Sequence, residues 1–168
     1  MVYSLQLHKE IPVKLEKEII FSCGNYDDYM TRYTAYDSKF KEIGYVDLQD
    51  TKNGAKVLYI KNQEPHLYRH FGYLADQIEV EHCLKRGIEK PYIQSLAAVG
   101  SHIKHFKRGK RFINEGVNAF LTEILKNLQK NEFISLGFLG VQKMYMPMNM
   151  INEIKEKIKK RPLLKGLK

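Results

Sequence analysis

Residues 69–74, Arg-His-Phe-Gly-Tyr-Leu, place one permanent positive charge and one glycine beside a run of backbone N–H groups. That combination suits phosphate. The first N–H groups of a helix have no intrahelical acceptor, the helix dipole adds positive character there, and arginine offers a planar fork of donors. Gly72 lets an anion approach the backbone because no Cβ intrudes. The residues expected to hold a phosphate are therefore Arg69, His70, Phe71, Gly72, Tyr73 and Leu74. The plainer reading of the same residues is an exposed arginine in a loop and a glycine that only turns the chain.

A second candidate is His105, inside the basic stretch Lys104–Arg111. Histidine can donate a proton near neutral pH. The plainer alternative is a surface histidine on a basic helix. Other chemistry has little support. His66, His70, His82, His102 and His105 lack the spacing of a zinc signature, and Cys23 and Cys83 are not paired in any motif, so no metal is expected. There is no Gly-x-Ser-x-Gly elbow and no Gly-Lys-Ser/Thr phosphate loop.

The elements that must position these residues follow from periodicity. Val2–Leu7 alternates as a first strand, and Pro12 opens a helix carrying Leu15, Ile19 and Ile20 at spacings of three and four. A strand at Arg32–Tyr36 and a clearer one at Ile43–Leu48 come next. The Asn53-Gly54 turn, expected to use positive φ, then leads into a returning strand at Ala55–Lys61. A helix follows from about Tyr73 to Arg86, with Asp76, Glu79 and Glu81 early and Lys85 and Arg86 late, as the dipole favours; Gly87 closes it. Pro91–Ala98 is nearly continuous in apolar residues, as in a strand covered on both faces. Ile113–Leu128 is amphipathic with a stripe expected to pack on the core. Phe133–Met146 holds one or two closing strands, Met150–Ile158 a last helix, and Arg161–Lys168 a loose basic tail.

Strand, phosphate-type turn, helix, glycine and strand make one βαβ unit. Arg69-His70-Phe71-Gly72-Tyr73-Leu74 resembles the pyrophosphate-binding motif of the GNAT (GCN5-related) N-acetyltransferase superfamily: Gln or Arg, two residues, Gly, one residue, Gly or Ala. Leu74 departs from the small residue usual at the last position. Lys85-Arg86-Gly87, the Pro91–Ala98 strand and Ser101–Gly109 continue the family's order of elements. The resemblance implies a single domain over residues 1–168. It implies an α/β (α+β) fold: a mixed, mostly antiparallel sheet flanked by helices, with extra C-terminal helices. It also implies acetyl-CoA as cosubstrate, lying where the Ala55–Lys61 and Pro91–Ala98 strands part. The backbone of Tyr59, Ile60 and Lys61 would face the thioester, and an amine, on a small molecule or a protein, would accept the acyl group. His105 falls where the family usually has a tyrosine acid, and Lys110 stands where a phenylalanine usually follows the glycine. The Ile113–Leu128 helix has no counterpart in the usual layout.

A formal net charge of +9 favours anionic partners. Five Lys or Arg lie between Lys104 and Arg111, where a nucleotide cofactor would meet them, and seven between Lys155 and Lys168. Tyr26, Tyr29, Tyr33 and Tyr36, spaced by three and four, suit either a helix face or the wall of a substrate pocket. Aromatics among basic residues also keep a non-catalytic reading open, as a CoA-binding or nucleic-acid or protein interaction module on the same fold. No apolar run approaches the roughly 20 residues that cross a bilayer, and no signal peptide is apparent, so a cytoplasmic protein with free thiols is expected.

Overall fold

The computed structural model describes residues 14–21, 29–63, 71–97, 101–127 and 140–167. In chain order the elements are β1 (Lys14–Phe21), β2 (Tyr29–Tyr36), β3 (Glu42–Thr51), β4 (Gly54–Asn62), α1 (Phe71–Lys85), β5 (Tyr92–Ala97), α2 (His102–Arg108), β6 (Arg111–Phe112), α3 (Glu115–Asn127), β7 (Gln142–Tyr145) and α4 (Met148–Lys160). The strands form one sheet in the order β1-β2-β3-β4-β5-β7-β6. Every neighbouring pair is antiparallel except β4 and β5, which run parallel through the α1 crossover.

One row of residues crosses the sheet from Leu48 through Val57, Ser95 and Met144 to Phe112. Leu48 and Val57 belong to a core shared with α1 and α4. Met144 and Phe112 belong to a second core with Phe106 of α2 and Leu121 of α3. The described helices thus cover the same face of the sheet. Leu74, Ile78 and Ile151 are fully buried there. Each such side chain contributes roughly 1.5–3 kcal/mol by leaving water.

The hairpin between β3 and β4 lies where Asn53-Gly54 predicts it, with Thr51 facing Gly54. Its physical basis differs from the expectation, since neither residue has a positive φ. Gly54 is needed for close approach: a Cβ there would lie 2.0 Å from the Tyr92 carbonyl oxygen. Gly87, at φ 81°, does end α1 in the left-handed region.

Three expectations are overturned. Residues 14–21 are strand, not helix: all eight pair antiparallel with Tyr29–Tyr36. The backbone ladder and the buried Leu15 suffice for an edge strand. The tyrosines at 29, 33 and 36 accordingly lie on a strand rather than a helix face. The C-terminal segment is docked, not loose. The Glu81 carboxylate accepts the N–H groups of Leu163 (2.9 Å) and Leu164 (2.7 Å), and Leu164 is fully buried. Lys85 donates to the carbonyls of Leu164 and Leu167. Finally, α1 starts at Phe71, two residues before the expected point, so Phe71–Leu74 are its first turn and not a loop. Val2–Leu7, Pro12, Cys23, Arg69, His70 and the first half of Phe133–Met146 (residues 133–139) lie outside the described residues; its second half holds β7.

Candidate active site

β4 and β5 are paired only from Gly54–Tyr92 to Val57–Ser95. β4 runs on to Asn62, while β5 continues from Ser95 to Ala97 paired only along its other edge, to β7, among the described residues. Past Ser95 the two strands therefore part, and the β4 edge from Leu58 to Asn62 has no β5 partner. A bulge sits at the same place. Asp47 faces Tyr59 while Leu48 faces Val57, which leaves Leu58 as an extra residue. A bulge bends its strand and redirects the residues after it. The alternation duly shifts: Ile60 packs on the core, and Tyr59 and Lys61 are exposed. This places the backbone of Tyr59, Ile60 and Lys61 at the mouth of the gap.

The start of α1 lies at the same end of the sheet. Phe71 is buried, and its ring tip would be 3.0 Å from a Cβ on Gly44, which pairs with Asn62 at the end of β4. The buried Phe71 side chain thus brings the start of α1 to the end of β3 and β4 at which β4 runs past its pairing with β5. Leu74, where a small residue was expected, is fully buried in the core, so only its backbone can serve a ligand.

Gly72 has a second reason to be glycine. A Cβ there would lie 2.6 Å from Nη1 and 2.7 Å from Cζ of Arg108. The guanidinium rests against the first turn of α1. Arg108 Nε donates to Asp76 Oδ2 at 2.7 Å, and Nη2 donates to Asp76 Oδ1 at 3.3 Å and to His105 Nδ1 at 2.8 Å. His105 is thus brought to the start of α1 through Arg108. Since a guanidinium only donates, Nδ1 accepts, and the ring hydrogen is on Nε2.

Next to this lies a buried pair. Lys110 Nζ is 2.8 Å from Glu79 Oε1 and 3.4 Å from Asp76 Oδ1, and both Lys110 and Glu79 are almost wholly shielded from water. Burial pushes Asp76 up, but Lys110 and Arg108 outweigh it and hold the carboxyl below the ordinary range. Burial pushes Glu79 up to about 7, with Lys110 offsetting only part and Asp76 adding to the rise. The early acidic residues of α1 thus serve buried ion pairs and the C-terminal dock more than the dipole. Of the five basic residues between Lys104 and Arg111, Arg108 and Lys110 pair with carboxylates, and Arg111 donates to the carbonyls of Phe106 and Lys110. Lys104 and Lys107 are the exposed ones. The local field on a nucleotide is weaker than the composition suggests.

Sequence reasoning missed Arg108 and Asp76, because nothing in their spacing links them: they are 32 residues apart on different helices. The α3 stripe is only half used. Leu121 is buried and Val117 and Leu125 are partly buried against the second core, while Phe120 is 45 % exposed. Cys83 is a free, buried thiol whose burial pushes it up to about 12.

No family model and no curated protein matches this sequence. The fold does find relatives. A chimera of the spermidine N-acetyltransferase SpeG from Vibrio cholerae with hSSAT superposes with a TM-score of 0.50 over 84% of this chain and 98% of that one, at 11% identity. The chain has the GNAT fold. An acetyltransferase from Bacillus subtilis in complex with CoA gives 0.48 over 79% of this chain and 98% of that one at 17% identity. An acetyltransferase of the GNAT family from Staphylococcus aureus gives 0.45 over 70% and 66% at 12% identity. No helix among the described residues is long and apolar enough to cross a membrane.

Proposed function

We propose that the chain is an N-acyltransferase that moves the acetyl group of acetyl-CoA directly onto the nitrogen of an amine. The observation that carries this reading is the parting of β4 from β5 beside the first turn of α1, in a GNAT-fold sheet. The donor chemistry fits the cosubstrate: helix-start N–H groups suit a diphosphate, and an unpaired strand edge suits an amide-bearing arm and a carbonyl. Bound acetyl-CoA would supply an activated thioester. The N–H groups of Phe71, Gly72, Tyr73 and Leu74 hold the diphosphate in this reading, with Arg69 and His70 preceding them in sequence. Backbone N–H groups among Tyr59, Ile60 and Lys61 hydrogen-bond the carbonyl oxygen as it gains charge, which lowers the barrier.

The amine nitrogen forms the new C–N bond while the C–S bond breaks, and the electron pair leaves on sulfur. The amine gives its extra proton to water. In this reading His105, which the family resemblance puts at the position of the acid, hydrogen-bonds the leaving sulfur through Nε2–H. Much of the catalysis is then positioning of two bound reactants.

Thermal melting with and without acetyl-CoA tests the binding step. Ligand at 100 times its dissociation constant adds about 2.7 kcal/mol, or roughly 5–10 °C for a chain of this size. Thiol release with a panel of amines then tests turnover. No melting shift with acetyl-CoA, together with a salt-sensitive shift with an oligonucleotide, would replace this reading with a nucleic-acid-binding module.

A further inference from the structure

Gly72, Asp76, His105 and Arg108 come from two helices, yet one guanidinium touches all of them. Arg108 occupies the space a Cβ on Gly72 would need, is held in place by both oxygens of Asp76, and gives its remaining Nη2 hydrogen to His105 Nδ1. Its side chain is 11% exposed and the Asp76 side chain 3%. The carboxylate fixes the guanidinium plane, the plane fixes the direction of Nη2, and Nη2 selects which ring nitrogen of His105 is bare. A guanidinium cannot accept a hydrogen bond, so the contact is incompatible with an Nδ1–H ring.

We propose that Arg108 is a positioning residue for His105, holding the imidazole as the Nε2–H tautomer, and that Gly72 is glycine in order to seat that guanidinium. The reading of His105 as a partner of the leaving sulfur is the one proposed above, and this inference rests on it for its catalytic consequence. The structural part stands alone. It assigns Gly72 a role different from close approach of a phosphate, and the two roles separate experimentally. A Cβ at Gly72 pushes on Arg108 from 2.6 Å, so Gly72→Ala acts on His105 through Arg108 without touching the ring itself.

The test uses the full chain with 15N-labelled histidine. Long-range 1H–15N spectra at pH 7.5 report which ring nitrogen carries the hydrogen. The expected result is Nε2–H for His105 in the unmodified protein, and a mixture of tautomers in both Arg108→Gln and Gly72→Ala. The double variant should be no more mixed than Arg108→Gln alone. With an accepted amine, both single variants should lower kcat about tenfold or more and leave KM for acetyl-CoA within about twofold. Arg108→Lys keeps the charge but loses the fork, and should fail to restore the tautomer. An Nδ1–H or doubly protonated ring in the unmodified protein overturns the inference. So does a Gly72→Ala protein with an unchanged tautomer and a raised KM, which would return Gly72 to phosphate approach. A chain without turnover on any amine would sink the acyltransferase reading while leaving the tautomer result intact. His105→Gln serves to assign the resonance if a variant folds poorly.

Discussion

Lys110→Met is the sharpest probe of the buried charges that join α1 to the segment after α2. Lys110 has 1% of its side chain exposed and Glu79 none, with Nζ and Oε1 2.8 Å apart. The other oxygen of Glu79 is buried without a hydrogen-bond partner among the described residues. Removing one member of such a pair leaves the other uncompensated, at a cost of roughly 3–5 kcal/mol. That is a third or more of the stability of an ordinary domain. The cost should depend on pH. Glu79 is raised to about 7 from an ordinary 4.5, which corresponds to roughly 3 kcal/mol in favour of the protonated folded form. The sign follows: that contribution is fully present below about 4.5 and is lost as pH rises through about 7. At pH 8 the variant must either bury a bare carboxylate or take up a proton. At pH 5 Glu79 is already neutral, so the penalty should be about 1–2 kcal/mol smaller. Urea unfolding at both pH values measures this. The double variant Lys110→Met/Glu79→Leu should recover to within about 1 kcal/mol of the unmodified protein at pH 8, since apolar packing often matches a buried pair. A loss below about 1 kcal/mol at pH 8, or an equal loss at both pH values, would refute the reasoning.

Other expectations are as direct. Glu81→Gln removes the charge that accepts the Leu163 and Leu164 N–H groups; it should cost about 1–3 kcal/mol in urea unfolding and speed proteolysis of residues 161–167. Gly44→Ala places a Cβ 2.1 Å from the Lys61 carbonyl oxygen, so β3 and β4 must separate; loss of amide-exchange protection across that pair checks it, and retained protection would argue against it. His82 is buried between Tyr33 and Asp50 and is held below its ordinary value mainly by burial. Its neutral form belongs to the fold, so stability should fall as pH drops below about 6.5, and His82→Phe should flatten that slope. Cys83, pushed up to about 12 by burial, should resist thiol reagents at pH 8 in the folded protein and react on unfolding.

The sequence alone determined the local features whose cause is local. Asn53-Gly54 marked the hairpin, Gly87 the end of α1, and apolar spacing the helices α1, α3 and α4. The parallel pairing of β4 with β5 followed from the βαβ order, and their parting from the family resemblance. The misreading of Lys14–Phe21 as helix has a physical reason. Leu15, Ile19 and Ile20 fit a helical stripe, and the strand's pairing with β2 is a backbone interaction that side-chain spacing does not report. The tertiary structure alone decided what the charged residues are for. Asp76, Glu79 and Glu81 read as early helix charges that suit the dipole, and Arg108 and Lys110 as a field for a nucleotide. Packing buried them against one another and against a C-terminal segment 82 residues away. Burial removes water as the competing partner, so a charge must find its counterpart wherever the fold brings one, and that distance through space is not written in the distance along the chain.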